Sequence, residues 1–123
     1  MQSFKDVVAE FKLLLENTPS LEMMDLYYAD DIIQVENNDK PIVGKKKLMK
    51  LEKENLSKVT WHKESIKTML IDSRKQIVMG EMIIQYETLD KKKKKFEEAF
   101  IQHWEDGKIK YQKFYFKPFT DLK

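Results

Sequence analysis

The sequence predicts an α+β domain in which three helices and a short β-arm precede four long antiparallel strands. Three observations carry this. Apolar residues recur at helical spacing in the N-terminal half, and after Val59 the period falls to two. Between these regimes, Tyr27 to Asn38, closed by Pro41-Ile42-Val43-Gly44, passes from helical pattern to β-type alternation, and a helix then restarts. With 123 residues the chain is one domain in expectation, large enough for a real core but not for two.

Phe4, Val7, Val8, Phe11, Leu14 and Leu15 form one apolar stripe, the buried face of a first helix. Asn17-Thr18-Pro19-Ser20 breaks it; Thr18 is placed to cap a second helix, with Pro19 at its first position, where a missing N–H costs nothing. That helix carries Leu21, Met24, Leu26 and Tyr28 and is expected to end near Asp30. Ile32, Ile33 and Val35 favour a strand, because branched side chains suit the pleat, and Asn37-Asn38-Asp39-Lys40-Pro41 is turn chemistry. A third helix spans Gly44 to Lys58, with Lys45, Lys46 and Lys47 at the end where the helix dipole disfavours positive charge. Long strands follow over Trp61–Ile71, Gln76–Thr88, Phe96–Glu105 and Lys108–Phe119, separated by short polar turns that make them an antiparallel meander.

Composition excludes several classes of function. Without cysteine there is no disulfide framework, thiolate metal site or cysteine nucleophile. Three glycines leave none for a phosphate-binding loop, and Ser57, Ser65 and Ser73 lack the context of a nucleophile elbow. Two histidines on separate strands, with no carboxylate at fixed spacing, give no expectation of a metal site, and no cofactor is expected. A net charge of +2 gives no overall drive towards nucleic acid. Lys91 to Lys95 read as a solvated hairpin tip that discourages edge pairing, with Glu97 and Glu98 offsetting their field. The start of the chain has no basic flank followed by an apolar run, so no signal peptide is expected; no segment suggests a membrane span, and the cytoplasm is the expected location.

The order of elements resembles the nuclear transport factor 2-like fold, a curved sheet wrapped around helices to make a cone open at one end. Tyr28-Ala29-Asp30-Asp31-Ile32-Ile33 followed by Pro41-Ile42-Val43-Gly44 is similar to that superfamily's YADD…G segment, and Glu105-Asp106-Gly107-Lys108-Ile109 to its DGKI turn. The nearest groups in style are SnoaL-like polyketide cyclases and ketosteroid isomerase-like proteins. The resemblance implies an isomerase base just after Val35-Glu36, where Asn37 stands; an oxyanion-binding tyrosine on the first helix, where Phe11 stands; and a protonated acid on the third long strand, where Phe100 stands. None of the three can perform its counterpart's chemistry. The Asp/His pair of the cyclases has no placement on the last two strands, where Gln112, Lys113 and Phe114 stand.

What remains is a set of polar residues within apolar strands. Glu36 at the arm and Glu81 among Val78, Met79, Met82 and Ile83 are the candidate general bases, since a carboxylate among apolar neighbours holds its proton more tightly. Gln102 and Tyr115 are candidate hydrogen-bond donors, and Phe11, Tyr28, Asn37, Met82, Phe100 and Trp104 complete the expected ligand-binding set. His62 and Glu64 share a face, with His62 expected to be exposed at a strand start; His103 reads as a surface or interface residue. The expectation is a small apolar or aromatic carbonyl compound held in the cone, with acid/base isomerase or cyclase chemistry that needs no metal. The alternative is a non-catalytic ligand carrier or protein-interaction module. Strands apolar on both faces, such as Phe100 and Trp104 against Ala99 and Ile101, predict a homodimer through the sheet face.

Overall fold

A computed structural model describes residues 2–117. Its elements run α1 (Phe4–Leu15), α2 (Ser20–Tyr27), β1 (Tyr28–Glu36), β2 (Ile42–Val43), α3 (Lys45–Leu56), β3 (Val59–Asp72), β4 (Ile77–Thr88), β5 (Lys93–Glu105) and β6 (Lys108–Tyr115). The expected continuation of the last strand to Phe119 lies partly outside the described residues. The strands form one open six-stranded sheet in the order β2-β1-β6-β5-β4-β3. The expected meander is present from β3 to β6, but the sheet is mixed, because β1 runs parallel to β6.

The helices fill the concave side of this sheet. Ser3 caps α1 by accepting the Asp6 N–H at 3.2 Å, and Val8, Phe11 and Leu15 bury the stripe that the spacing predicts. Trp104 on β5 is the hub of the closed end: the rings of Phe4, Phe11 and Tyr27 meet it edge-on at 5.9, 5.3 and 5.9 Å. Such edge contacts add to plain area burial, since ring edges are electropositive and ring faces electronegative.

Two expectations for α2 are corrected. Pro19, not Thr18, is its N-cap, and no side chain caps it. Its C-terminus comes at Tyr27, three residues earlier than the apolar spacing suggests, because Tyr28 turns extended (φ −82°, ψ 133°) to pair with Ile109 of β6. Sheet pairing overrides a local helical preference here. Lys45, the first of the three lysines opening α3, also acquires a reason. The last turn of α2 has no basic residue; Lys45 reaches back to donate to the Asp25 carbonyl at 2.7 Å and pairs with its carboxylate at 3.2 Å, while Lys108 donates to the Leu26 carbonyl. Positive charge misplaced for its own helix thus serves the carbonyl end of another.

Curvature comes from irregular register. A bulge in β3 between Ile66 and Thr68 flips which side chains face inward, so Glu64 and Ile66 and then Met69 and Ile71 point to the helices. Opposite this bulge lies Gly80, where an added Cβ would stand 2.0 Å from the Thr68 carbonyl oxygen. Only glycine lets the two backbones approach so closely. At the far end of β5, Asp106 and Gly107 both take positive φ (52° and 74°), the geometry that joins twisted antiparallel strands with a two-residue turn. No helix among the described residues is long and apolar enough to cross a membrane.

Candidate functional site

Between the concave sheet and the helices lies a cavity of about 1030 Å³. Phe11, Leu15, Met23, Met24 and Leu48 line it from the helices, and Met82, Ile84 and Phe114 from the sheet. Burial grades along β5, from Phe96 at 40% exposed, through half-buried Glu98, to Gln102 at 3% and Trp104 at 5%. The cone therefore opens near Phe96 and closes near Trp104.

A one-way hydrogen-bond chain crosses the deep end. The Trp104 indole N–H can only donate, so the Gln102 amide at 3.1 Å must present its oxygen. Gln102 Nε2 then donates to Gln112 Oε1 at 3.3 Å, and Gln112 Nε2 donates at 2.7 Å to both Tyr28 Oη and Gln34 Oε1. Each acceptor role forces the next donor role. The chain consequently ends on groups whose hydrogens are left to donate into the cavity: the Tyr28 hydroxyl and the Gln34 amide. Burial raises the Tyr28 phenol beyond its ordinary range, against the opposing bond from Gln112, so it stays protonated. The deep end thus presents donor hydrogens from Tyr28 and Gln34.

The wall nearer the mouth is acidic. Glu36, Glu52, Glu64 and Glu98 border the cavity, against Lys58, Lys117 and His62, while neighbouring Glu97 turns its carboxylate outward to Lys67. Register explains why Glu98 faces in: it pairs with Met82 across β4–β5 and shares parity with buried Phe100 and Gln102. Burial, reinforced by the charges of Glu64 and Glu36, pushes its carboxyl up to about 7. A carboxyl at that value exchanges a proton readily near neutral pH. His62 is half-buried, correcting the expectation of an exposed strand start; its Nε2 lies 3.2 Å from Glu64 Oε1, and that bond raises the imidazole above its ordinary value. Glu52 comes in from α3, so that one ligand-type atom from each of Glu52, His62 and Glu64 lies within 4.8 Å of the others. These three side chains could hold a metal ion, a grouping invisible in sequence spacing because it joins a helix to a strand.

Of the residues singled out from sequence, Phe11, Tyr28, Glu36, Met82 and Gln102 line the cavity. Phe100 and Trp104 pack in the core behind it. Asn37, Glu81 and Tyr115 instead border a shallow depression beyond the cone wall. Asn37 takes φ 51° and accepts the Phe116 N–H at 3.0 Å, tying the end of β1 to the end of β6. Glu81 is exposed and accepts the Thr68 hydroxyl at 2.8 Å on the outer face. His103 is exposed, as expected, beside the Tyr111 ring. Glu98, Gln112, Gln34 and Glu52 escaped the sequence reading. For Glu98 and Gln112 a signal existed, since each stands two residues from an inward aromatic, Phe100 and Phe114.

The whole architecture recurs among solved structures. A protein from Mesorhizobium loti assigned to the SnoaL-like polyketide cyclases superposes with a TM-score of 0.78 at 17% identity, over 94% of this chain and 100% of that one. The chain has the nuclear transport factor 2-like fold. An epoxide hydrolase of Mycobacterium tuberculosis, described as LEH-like, matches at a TM-score of 0.72 and 18% identity over 93% of this chain and 78% of the other. A protein of ketosteroid isomerase-like fold from Catenulispora acidiphila, solved with trimethylamine, matches at 0.72 and 11% identity, covering 91% and 85%. No protein-family model matches the chain. No curated protein matches its sequence.

Proposed function

We propose that the cone binds a small, largely apolar or aromatic carbonyl compound and moves a proton beside its carbonyl group. The observation that carries this is the directed hydrogen-bond chain of the deep end, which leaves the Tyr28 hydroxyl as a donor beside the apolar side chains of Phe11, Met82 and Phe114. A carbonyl oxygen seated there gains a hydrogen bond that strengthens as negative charge develops on it. Glu98 is the proton carrier: ionised, it takes a proton from the carbon next to the carbonyl, and protonated, it returns it elsewhere. Burial raises its proton affinity, and the charges of Glu64 and then Glu36 add to this. Gln102 acts through Gln112 as a positioning residue. Glu81 and Tyr115, on the outer side, take no part in this scheme. A non-catalytic ligand carrier would use the same cavity without the step at Glu98.

The test uses prodan, an aromatic ketone whose emission reports hydrogen bonding to its carbonyl. The wild type should bind it with red-shifted emission. Tyr28→Phe should bind about 2- to 10-fold more weakly, the worth of one net hydrogen bond, with emission moved to the blue. In heavy water the wild type should speed deuterium uptake beside the carbonyl, and Glu98→Gln should not. Equal affinity and emission in Tyr28→Phe would overturn the binding geometry. Exchange unchanged in Glu98→Gln would overturn the proton step alone and leave the carrier reading.

A second reading concerns the outer face. Leu70, Met79 and Tyr115 stand 71, 49 and 49% exposed there, interspersed with Lys67, Glu81, Glu97 and Lys113. Apolar groups mixed with both signs of charge suit a self-complementary contact, and this face pairs with a second copy of the chain.

A further inference from the structure

We propose that Glu52, His62 and Glu64 bind a divalent first-row transition ion at the mouth of the cone. This site shares the cavity with the carbonyl-binding deep end, and the charge of Glu64 reaches Glu98 and Tyr28, but none of its three ligands is the donor or the proton carrier of the carbonyl reading. The three residues come from α3 and β3, which pack against each other. Each is half-buried, which limits competition from bulk water while leaving the ion accessible from the cavity.

The geometry is close to what an ion requires. Metal bonds to imidazole nitrogen and carboxylate oxygen of roughly 2.0–2.2 Å place adjacent ligand atoms roughly 3.0–3.5 Å apart. His62 Nε2 and Glu64 Oε1, at 3.2 Å, already form one such edge. The widest separation in the group is within 4.8 Å. Closing it needs a movement of about 1.5 Å, well within the side-chain freedom of a half-exposed glutamate on a helix. Charge points the same way. Four carboxylates face the cavity against Lys58, Lys117 and His62, so a cation placed among Glu52, Glu64 and their neighbours relieves repulsion as well as gaining ligands. One imidazole with two carboxylates is harder than the thiolate-rich sets of structural zinc sites, which suits Zn²⁺, Mn²⁺ or Fe²⁺ with the remaining positions open to water or substrate. Mg²⁺ prefers oxygen ligands alone and should bind poorly here.

Isothermal titration of the whole chain with Zn²⁺ and with Mg²⁺, in buffers from about pH 7 to 9 because the metal must displace any proton on His62, tests the site. Cobalt substitution, read by its visible absorption, reports imidazole and carboxylate ligation independently of any activity. The wild type should take up one Zn²⁺ per chain and raise its melting temperature, with little response to Mg²⁺. His62→Asn and Glu52→Gln should each weaken Zn²⁺ binding by at least about tenfold, since even outer-shell partners contribute that much. Each variant's fold is checked by circular dichroism, and Glu64→Gln serves in place of either one that misfolds. His103→Asn removes the other histidine and should leave binding unchanged. Absence of stoichiometric Zn²⁺ uptake in the wild type would overturn the proposal, as would uptake that survives Glu52→Gln and His62→Asn or falls with His103→Asn. Prodan binding is measured on the same preparations in the absence of metal, so failure of this site and failure of the deep-end reading are told apart.

Discussion

Glu98→Gln isolates the electrostatics of the cavity wall. In the folded chain burial holds the Glu98 carboxyl at about 7, against 4.5 when unperturbed. Below about pH 4.5 the group is protonated in both folded and unfolded chains and contributes no difference. Between 4.5 and about 7 the unfolded chain gives up its proton first, the folded chain binds more protons, and stability falls as pH rises. Above about 7 the full penalty of a charged, half-buried carboxylate is present. The upper limit is about 3.4 kcal/mol, from 1.36 kcal/mol per tenfold change in proton affinity. Solvent reaches part of the side chain, which screens the charge and reduces the expectation to about 1–2 kcal/mol. Glutamine keeps the shape without the charge. The variant should therefore match the wild type within about 0.5 kcal/mol near pH 4 and exceed it by about 1–2 kcal/mol near pH 8.5. Urea unfolding at several pH values, followed by tryptophan fluorescence, reads both numbers. A gap that does not change with pH, or a wild type that gains on the variant between pH 5 and 8, would refute the inward, desolvated placement of Glu98.

Two further outcomes are expected. Gly80→Ala drives a methyl group to 2.0 Å from the Thr68 carbonyl oxygen and 3.1 Å from the Phe100 ring, so it should destabilise the fold by about 3 kcal/mol or more in urea unfolding; a change under about 0.5 kcal/mol would remove the close approach of β3 and β4 from the account. Sedimentation should find a dimer of the 14.8 kDa chain at micromolar concentration, and Met79→Lys should shift it to monomer; a wild-type chain that sediments only as monomer would remove the outer-face interface.

Helices α1 and α3 and the strands of the meander were legible because each has a regular apolar period. Val8, Phe11 and Leu15 mark a helix face, and Asp106-Gly107 marks a turn that few other pairs would make. Tyr28 was harder to place. The apolar spacing of α2 continues through it, yet parallel pairing with Ile109 draws it into β1 and turns its hydroxyl towards Gln112. Glu81 and Glu98 show the same difficulty in opposite senses. Glu81 sits among apolar residues in sequence but on the outward parity of β4. Glu98 follows a lysine run and a second glutamate but points inward beside Met82. Sequence neighbours in a strand occupy opposite faces, so local composition misjudges the environment of both.

By itself the sequence determined the fold class, the order of helices and strands, and the absence of any cysteine chemistry, because these depend on periodicity and composition along the chain. The expected lysine hairpin tip did not hold, since Lys93, Lys94 and Lys95 pair with β4. Only the tertiary structure decided which carboxylate is desolvated, which amide chain directs a donor into the cavity, and that Glu52 meets His62 and Glu64. Those facts depend on the parity set by the β3 bulge, on the parallel docking of β1 beside β6, and on the packing of α3 over β3. Each joins residues far apart in sequence, where no local pattern records their distance.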